Sequence, residues 1–137
     1  MCPGDADNVG GDVERIVLAQ VQVLAELGAD VNVRDRAADG RTALMCCAMV
    51  VDERWGVGLA RTLLERGALV GLRTHQLRLN AMHFACMLGR AELVRMFLAA
   101  LDFDLRAADA LGNTALHYAA AVGRTDIIRI IADVDFR

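Results

Sequence analysis

"NTALHYAAAVGRTDIIRII", Asn113 to Ile131, decides the fold because the chain contains a second version of it. "LNAMHFACMLGRAELVRMF" begins at Leu79, and an offset of 34 lays His83 on His117, Ala85 on Ala119, Gly89 on Gly123 and Arg90 on Arg124. A third copy opens at "GRTALMCCAMVV", where Thr42 corresponds to Asn80 and Thr114. A partial fourth precedes it: "LAELGADVN", Leu24 to Asn32, matches "LLERGALVG", Leu63 to Gly71. A fixed period of this length marks a stack of similar supersecondary units.

Each copy reads as two short helices. Leu116, Ala119 and Ala120 stand at i, i+3 and i+4, which places them on one helical face. Thr114 is suited to cap the start of that helix, and Gly123 to end it in the left-handed conformation. Ile127, Ile128 and Ile131 then form the apolar face of a second helix. The second copy repeats this with Ala85 and Cys86, a closing Gly89, then Leu93, Val94 and Phe97. One such pair is too small to bury its own apolar face, so neighbours must stack.

The period, with "TALHYAAAVGR", "DGRTAL" and "LGADVN", resembles the ankyrin repeat family, from about Glu14 to Ile131. The resemblance implies an all-α solenoid of helix-turn-helix units joined by hairpin-like loops. The expected organisation is a disordered tail over 1–11 and a repeat domain over 12–137. Within that domain fall an N-terminal half-repeat (12–38), repeat 1 with an insertion (39–71), repeat 2 (72–108) and an incomplete repeat 3 (109–137). Asp12 is placed to cap the helix of the half-repeat. At the other end Ile127, Ile128 and Ile130 supply little of the polar outer face that ends a natural array, which suggests a longer array or a covering domain.

Family resemblance gives His83 and His117 a structural role: each bonds near its cap and ties neighbouring repeats together. Thr42 and Thr114 are the matching caps, and Gly89 and Gly123 the matching terminators. Met45 replaces the histidine in repeat 1, so the tie is expected to be missing there. Ala43, Ala81 and Ala115 stand where the family prefers proline.

The four cysteines do not form a metal pattern. Cys46 and Cys47 are adjacent, so they point about 100° apart on a helix, and no C-x₂-C pair exists. Cys47 and Cys86 occupy the small-residue positions of Ala119 and Ala120 and behave as small buried hydrophobes. No serine is present, and no Gly-rich phosphate loop or paired-carboxylate site appears. The expectation is a non-enzyme with no metal and no cofactor.

Composition agrees with an interaction role. Of 137 residues 55% are apolar, and mean hydropathy is +0.34, a load that suggests apolar surface meant for a neighbour. The longest apolar run, Ala43 to Val51, is too short for a bilayer, which needs roughly 20 residues. Net charge is −3 and the arginines are dispersed, which gives no footprint for nucleic acid. The acidic start carries no signal peptide, so an intracellular location, cytoplasm or nucleus, is expected.

Thr42 and Gly67 stand 25 positions apart, their counterparts Asn80 and Leu101 21. The four extra residues lie around Met49 to Gly58. They either lengthen the first helix to about Gly56 or form a protruding loop; there Trp55 is either a partner anchor or packed onto its own repeat.

Members of the family bind through loop tips and the inner face of their first helices. On this chain those positions are Arg41, Met49 and Val50 in repeat 1. In repeat 2 they are His75, Gln76, Leu77, Leu79, Met87 and Leu88, flanked by Arg73 and Arg78. In repeat 3 they are Ala110, Leu111, Asn113, Ala121 and Val122. Most are apolar, so the strip is either exposed for a partner or covered between stacked repeats. The expected function is a scaffold or adaptor that takes an apolar or amphipathic-helical protein partner on its concave face. The other reading is a regulatory segment that covers or positions a neighbouring domain of a longer chain. Asn32 matches an asparagine that is hydroxylated in some members of the family.

Overall fold

The computed structural model describes residues 26–28, 30–35, 39–50, 52–100 and 102–135. The expected tail and most of the half-repeat helix lie outside them. Six helices follow in order: α1 (Ala43–Met49), α2 (Glu53–Glu65), α3 (Ala81–Met87), α4 (Ala91–Leu98), α5 (Ala115–Val122) and α6 (Thr125–Asp135). Among the described residues there is no strand, only an isolated bridge between Asp35 and Arg41 in the loop before α1. The molecule is an all-α solenoid in two rows: α1, α3 and α5 stack in one, and α2, α4 and α6 in the other.

The first helices start alike because their caps are alike. Thr42, Asn80 and Thr114 are extended, and each side chain accepts the backbone N–H three residues on. In return the third helical residue accepts the cap's own N–H: Nδ1 of His83 at 3.0 Å and Nδ1 of His117 at 2.9 Å. In repeat 1 the sulfur of Met45 takes that bond at 3.4 Å. The missing histidine therefore leaves the local half of the box in place. What it removes is a donor, because a thioether accepts and cannot donate.

The insertion resolves as neither alternative. The first helix of repeat 1 spans seven residues, as in repeat 2, and ends at Met49. Asp52 then caps a new helix through the N–H of Trp55, and the extra residues become an added first turn of α2. Trp55 sits in that turn, half-buried and packed against the core, and not on a protruding loop. Gly56 permits the close crossing of α2 over α1: a Cβ there would lie 2.7 Å from the carbonyl oxygen of Cys47.

The core runs continuously through the stack. Leu44, Met45, Leu63, Met82, Leu93, Val94, Phe97, Ile127 and Ile131 are all at most 1% exposed. Burying one such side chain contributes about 1.5–3 kcal/mol. Helices of neighbouring hairpins pack against one another along the stack, which couples the stability of each repeat to the next.

Main-chain carbonyls hold the repeats in register. Asn32 donates to the carbonyl of Gly67 and accepts the N–H of Leu69. Arg34 donates to the carbonyl of Arg73, and Arg73 donates to that of Ala108. In the opposite direction Arg90 reaches Ala48 O at 2.9 Å, and Arg124 reaches Gly89 O at 2.9 Å. The recurrent Gly-Arg pair of the sequence is thus a backward clamp on the preceding repeat.

Candidate interaction strip

His83 is wholly buried, and its protonation is settled by its partners. Nδ1 accepts the N–H of Asn80, so Nε2 carries the proton and donates to Ala107 O, in the loop that leads into repeat 3, at 3.0 Å. Burial, the largest influence, holds its pKa below the usual imidazole value. The ring meets Tyr118 edge-on, with centroids 5.7 Å apart. The Tyr118 hydroxyl donates to Asp109, whose carboxylate also accepts the N–H groups of Leu111 and Asn113. Burial works against the Asp109 carboxylate, but these donors outweigh it and its pKa is lowered. His83 therefore has no lone pair or proton left for chemistry.

His117 keeps only the local half of the arrangement. Its Nδ1 faces Thr114, its Nε2 bonds no described residue, and the side chain is exposed. The surroundings differ in the same way. Met82 and Cys86 are 1% and 0% exposed, whereas Leu116 is 41% exposed and Ala120 lies open. Val94 is 0% exposed, and Ile128 is half-buried. The face that repeat 2 hides beneath repeat 3 is open on repeat 3 itself.

Cys47 and Cys86 are withdrawn from reactivity. Burial pushes the Cys86 thiol up to about 12 and the Cys47 thiol higher still, so neither offers a thiolate near neutrality. Among the described residues no three His, Cys, Asp or Glu side chains converge on one point. No helix among them is long and apolar enough to cross a membrane.

The strip of loop tips and inner helix ends is partly as expected and partly not. Leu77, Leu88, Leu111 and Val122 are 55%, 40%, 82% and 48% exposed. They form two rungs: Leu77 and Leu111 at equivalent loop tips, Leu88 and Val122 at equivalent helix ends, each pair 34 positions apart. His75, Gln76, Arg78, Ala110 and Ala121 are also exposed, while Arg41, Met49, Arg73, Met87 and Asn113 are half-buried. Arg41 lies against the Met49 sulfur at 2.9 Å.

Two expected members are not on the surface. Val50 is only 3% exposed because the added turn of α2 covers it; a Cβ on Gly56 would lie 3.7 Å from its own Cβ. Leu79 is 6% exposed, since its N–H bonds Thr74 Oγ1 and its carbonyl accepts the N–H of Thr74, which folds it inward. Repeat 1 therefore contributes little apolar surface to the strip, which is centred on repeats 2 and 3.

The loop tips are fixed in place. Asp39 accepts the N–H groups of Gln76 and Leu77 with its carboxylate and that of His75 with its carbonyl. On the other side the N–H of Ala110 bonds Leu77 O at 2.9 Å. The repeat 2 tip is thereby held between the tips of repeats 1 and 3. Asp39 makes these bonds from a left-handed backbone, φ 56°, a feature that sequence reasoning missed. An aspartate before a glycine is a signal that was available for it.

Comparison with known proteins adds two findings. The family described as ankyrin repeats (three copies) matches residues 53–137. The human "Ankyrin repeat domain-containing protein 63" is 38% identical over 79 residues, which is 58% of this chain and 20% of that protein. The aligned part of the chain thus spans about a fifth of the length of that curated relative.

Proposed function

Because this chain belongs to the ankyrin repeat family, we propose that it acts as a protein-binding scaffold or adaptor, with no catalysis of its own. Its ligand is the apolar side of a protein partner, received on the strip formed by repeats 2 and 3. One observation carries the reading. Four large apolar side chains stand exposed at equivalent positions of two adjacent repeats, Leu88 and Val122 at helix ends and Leu77 and Leu111 on loop tips that a cross-repeat bond joins. A contiguous exposed apolar patch marks an interaction site, and one fixed beforehand loses less entropy on binding.

Replacing Leu77 and Leu111 together by Glu tests this without touching the core. Proteins recovered specifically on the wild-type chain should fall by about ten-fold or more on the variant, as expected for loss of central anchors. Circular dichroism should be unchanged. Undiminished recovery with the fold intact would overturn the reading.

A second reading, a regulatory segment within a longer protein, draws on the open face of repeat 3 around Leu116, Ala120 and Ile128. A neighbouring domain over that face would slow hydrogen exchange of the α5 amides in the longer protein relative to this chain.

A further inference from the structure

Gly40, Arg78 and Gly112 occupy the same position in three successive loop tips, two residues before the capping residue. All three are left-handed, with φ of 76°, 58° and 83°. Glycine adopts this backbone freely and arginine does not. Repeat 2 alone places a side chain there, and it is a cation.

Arg78 is exposed and makes no hydrogen bond or ion pair with any described residue. Its neighbours differ. Arg41 lies on the Met49 sulfur and Arg73 is spent on the Ala108 carbonyl. The nearby acids are also engaged: Asp39 accepts two tip N–H groups, and Asp109 accepts Tyr118, Leu111 and Asn113. The tip thus offers a guanidinium free of any ion pair directly beside Leu77, and the Ala110–Leu77 bond brings the Leu111 tip alongside. A planar five-donor group on a fixed backbone is suited to bidentate recognition of a carboxylate.

We propose that Arg78 is the specificity-determining residue of the strip, selecting a linear protein segment that carries a carboxylate next to its apolar anchor. The apolar residue of that segment lies on Leu77 and Leu111, and its Asp or Glu meets the guanidinium from the solvent side. This rests on the strip being a binding surface, and the test separates the two ideas.

A displayed library of random 16-residue peptides is selected in parallel on the whole wild-type chain, on Arg78→Gly and on Arg78→Glu. The wild-type pool should be enriched in Asp and Glu beside an apolar residue. Its peptides should bind Arg78→Gly about three- to five-fold more weakly, the size of one exposed ion pair, and should lose their salt dependence. Arg78→Gly should select peptides with the apolar residue but no acidic preference, and Arg78→Glu should favour basic ones. The same acid-rich pool from all three chains, or equal affinity for wild type and Arg78→Gly, would overturn the assignment of Arg78 while leaving the strip standing. No peptide retained by the wild type, or retention unaffected by Leu77→Glu with Leu111→Glu, would overturn the strip and Arg78 with it.

Discussion

The imidazole of His83 ties α3 to the loop that leads into repeat 3: its Nδ1 accepts the cap N–H of Asn80 and its Nε2 donates to the carbonyl of Ala107. His117 has the first of these bonds and not the second. One residue type in one register therefore does two different amounts of work. Replacing His83 by Ala leaves a buried N–H and a buried carbonyl unpaired and opens a void. The expected loss is about 3–4 kcal/mol. His117→Ala, at an exposed site, should lose less than about 1 kcal/mol. Urea denaturation of the two variants checks the contrast.

Acid should weaken the fold through the same residue. His83 has a lower pKa folded than unfolded, chiefly because burial disfavours its charged form. The unfolded chain then binds the extra proton first. Stability is complete above the unfolded value of about 6.5 and falls as pH drops from there toward the folded value. Asp109, also lowered, acts in a separate window: its contribution is present above the ordinary carboxylate pKa and is lost only as pH falls below it. Denaturation midpoints at pH 7.5, 6 and 5 should decline in the wild type. In His83→Gln, less stable at every pH, the midpoint should be nearly flat across that interval.

Two glycines of α2 should respond in opposite directions to the same substitution. Gly56→Ala drives a methyl group to 2.7 Å from the Cys47 carbonyl oxygen, a main-chain atom that cannot step aside alone. It should cost about 1–3 kcal/mol. A Cβ on Gly58 meets nothing within 4 Å, and the residue is exposed within the helix. Gly58→Ala should stabilise by about 0.5–1 kcal/mol. Thermal melts of the pair test whether the crossing of α1 and α2 is as close as described.

Arg78→Gly should make the isolated protein no less stable. Relief of the left-handed backbone is worth about 1–2 kcal/mol, against about 0.5–1 kcal/mol for the greater freedom of glycine in the unfolded chain. The melting temperature should hold or rise. A clear drop would mean that the side chain supports the fold.

The sequence made the stacking legible because the repeat register is written in residues with local roles. Thr42, Asn80 and Thr114 cap, Gly123 terminates at φ 78°, and His83 ties. The destination of the four inserted residues was not legible, since the offset only says that they fall between two helices. Asp52 decided it by capping α2 early. Burial of Val50 followed from that turn, although its counterparts Leu88 and Val122 stay exposed. The same repeat position can face solvent or core according to what the adjoining element does. Nor did the pattern announce the backward clamps of Arg90 and Arg124, whose acceptors are backbone atoms and leave no mark in the sequence.

That last point bears on how such a molecule changes over time. In each of the four links through Arg34, Arg73, Arg90 and Arg124, one side is encoded by a codon and the other is a peptide oxygen that any amino acid supplies. A unit that brings its own arginine and keeps the phase of the array can be inserted, lost or exchanged without a compensating mutation next door. The guanidinium also stays charged across the physiological range, so the junctions are indifferent to acidity even where the histidine is not.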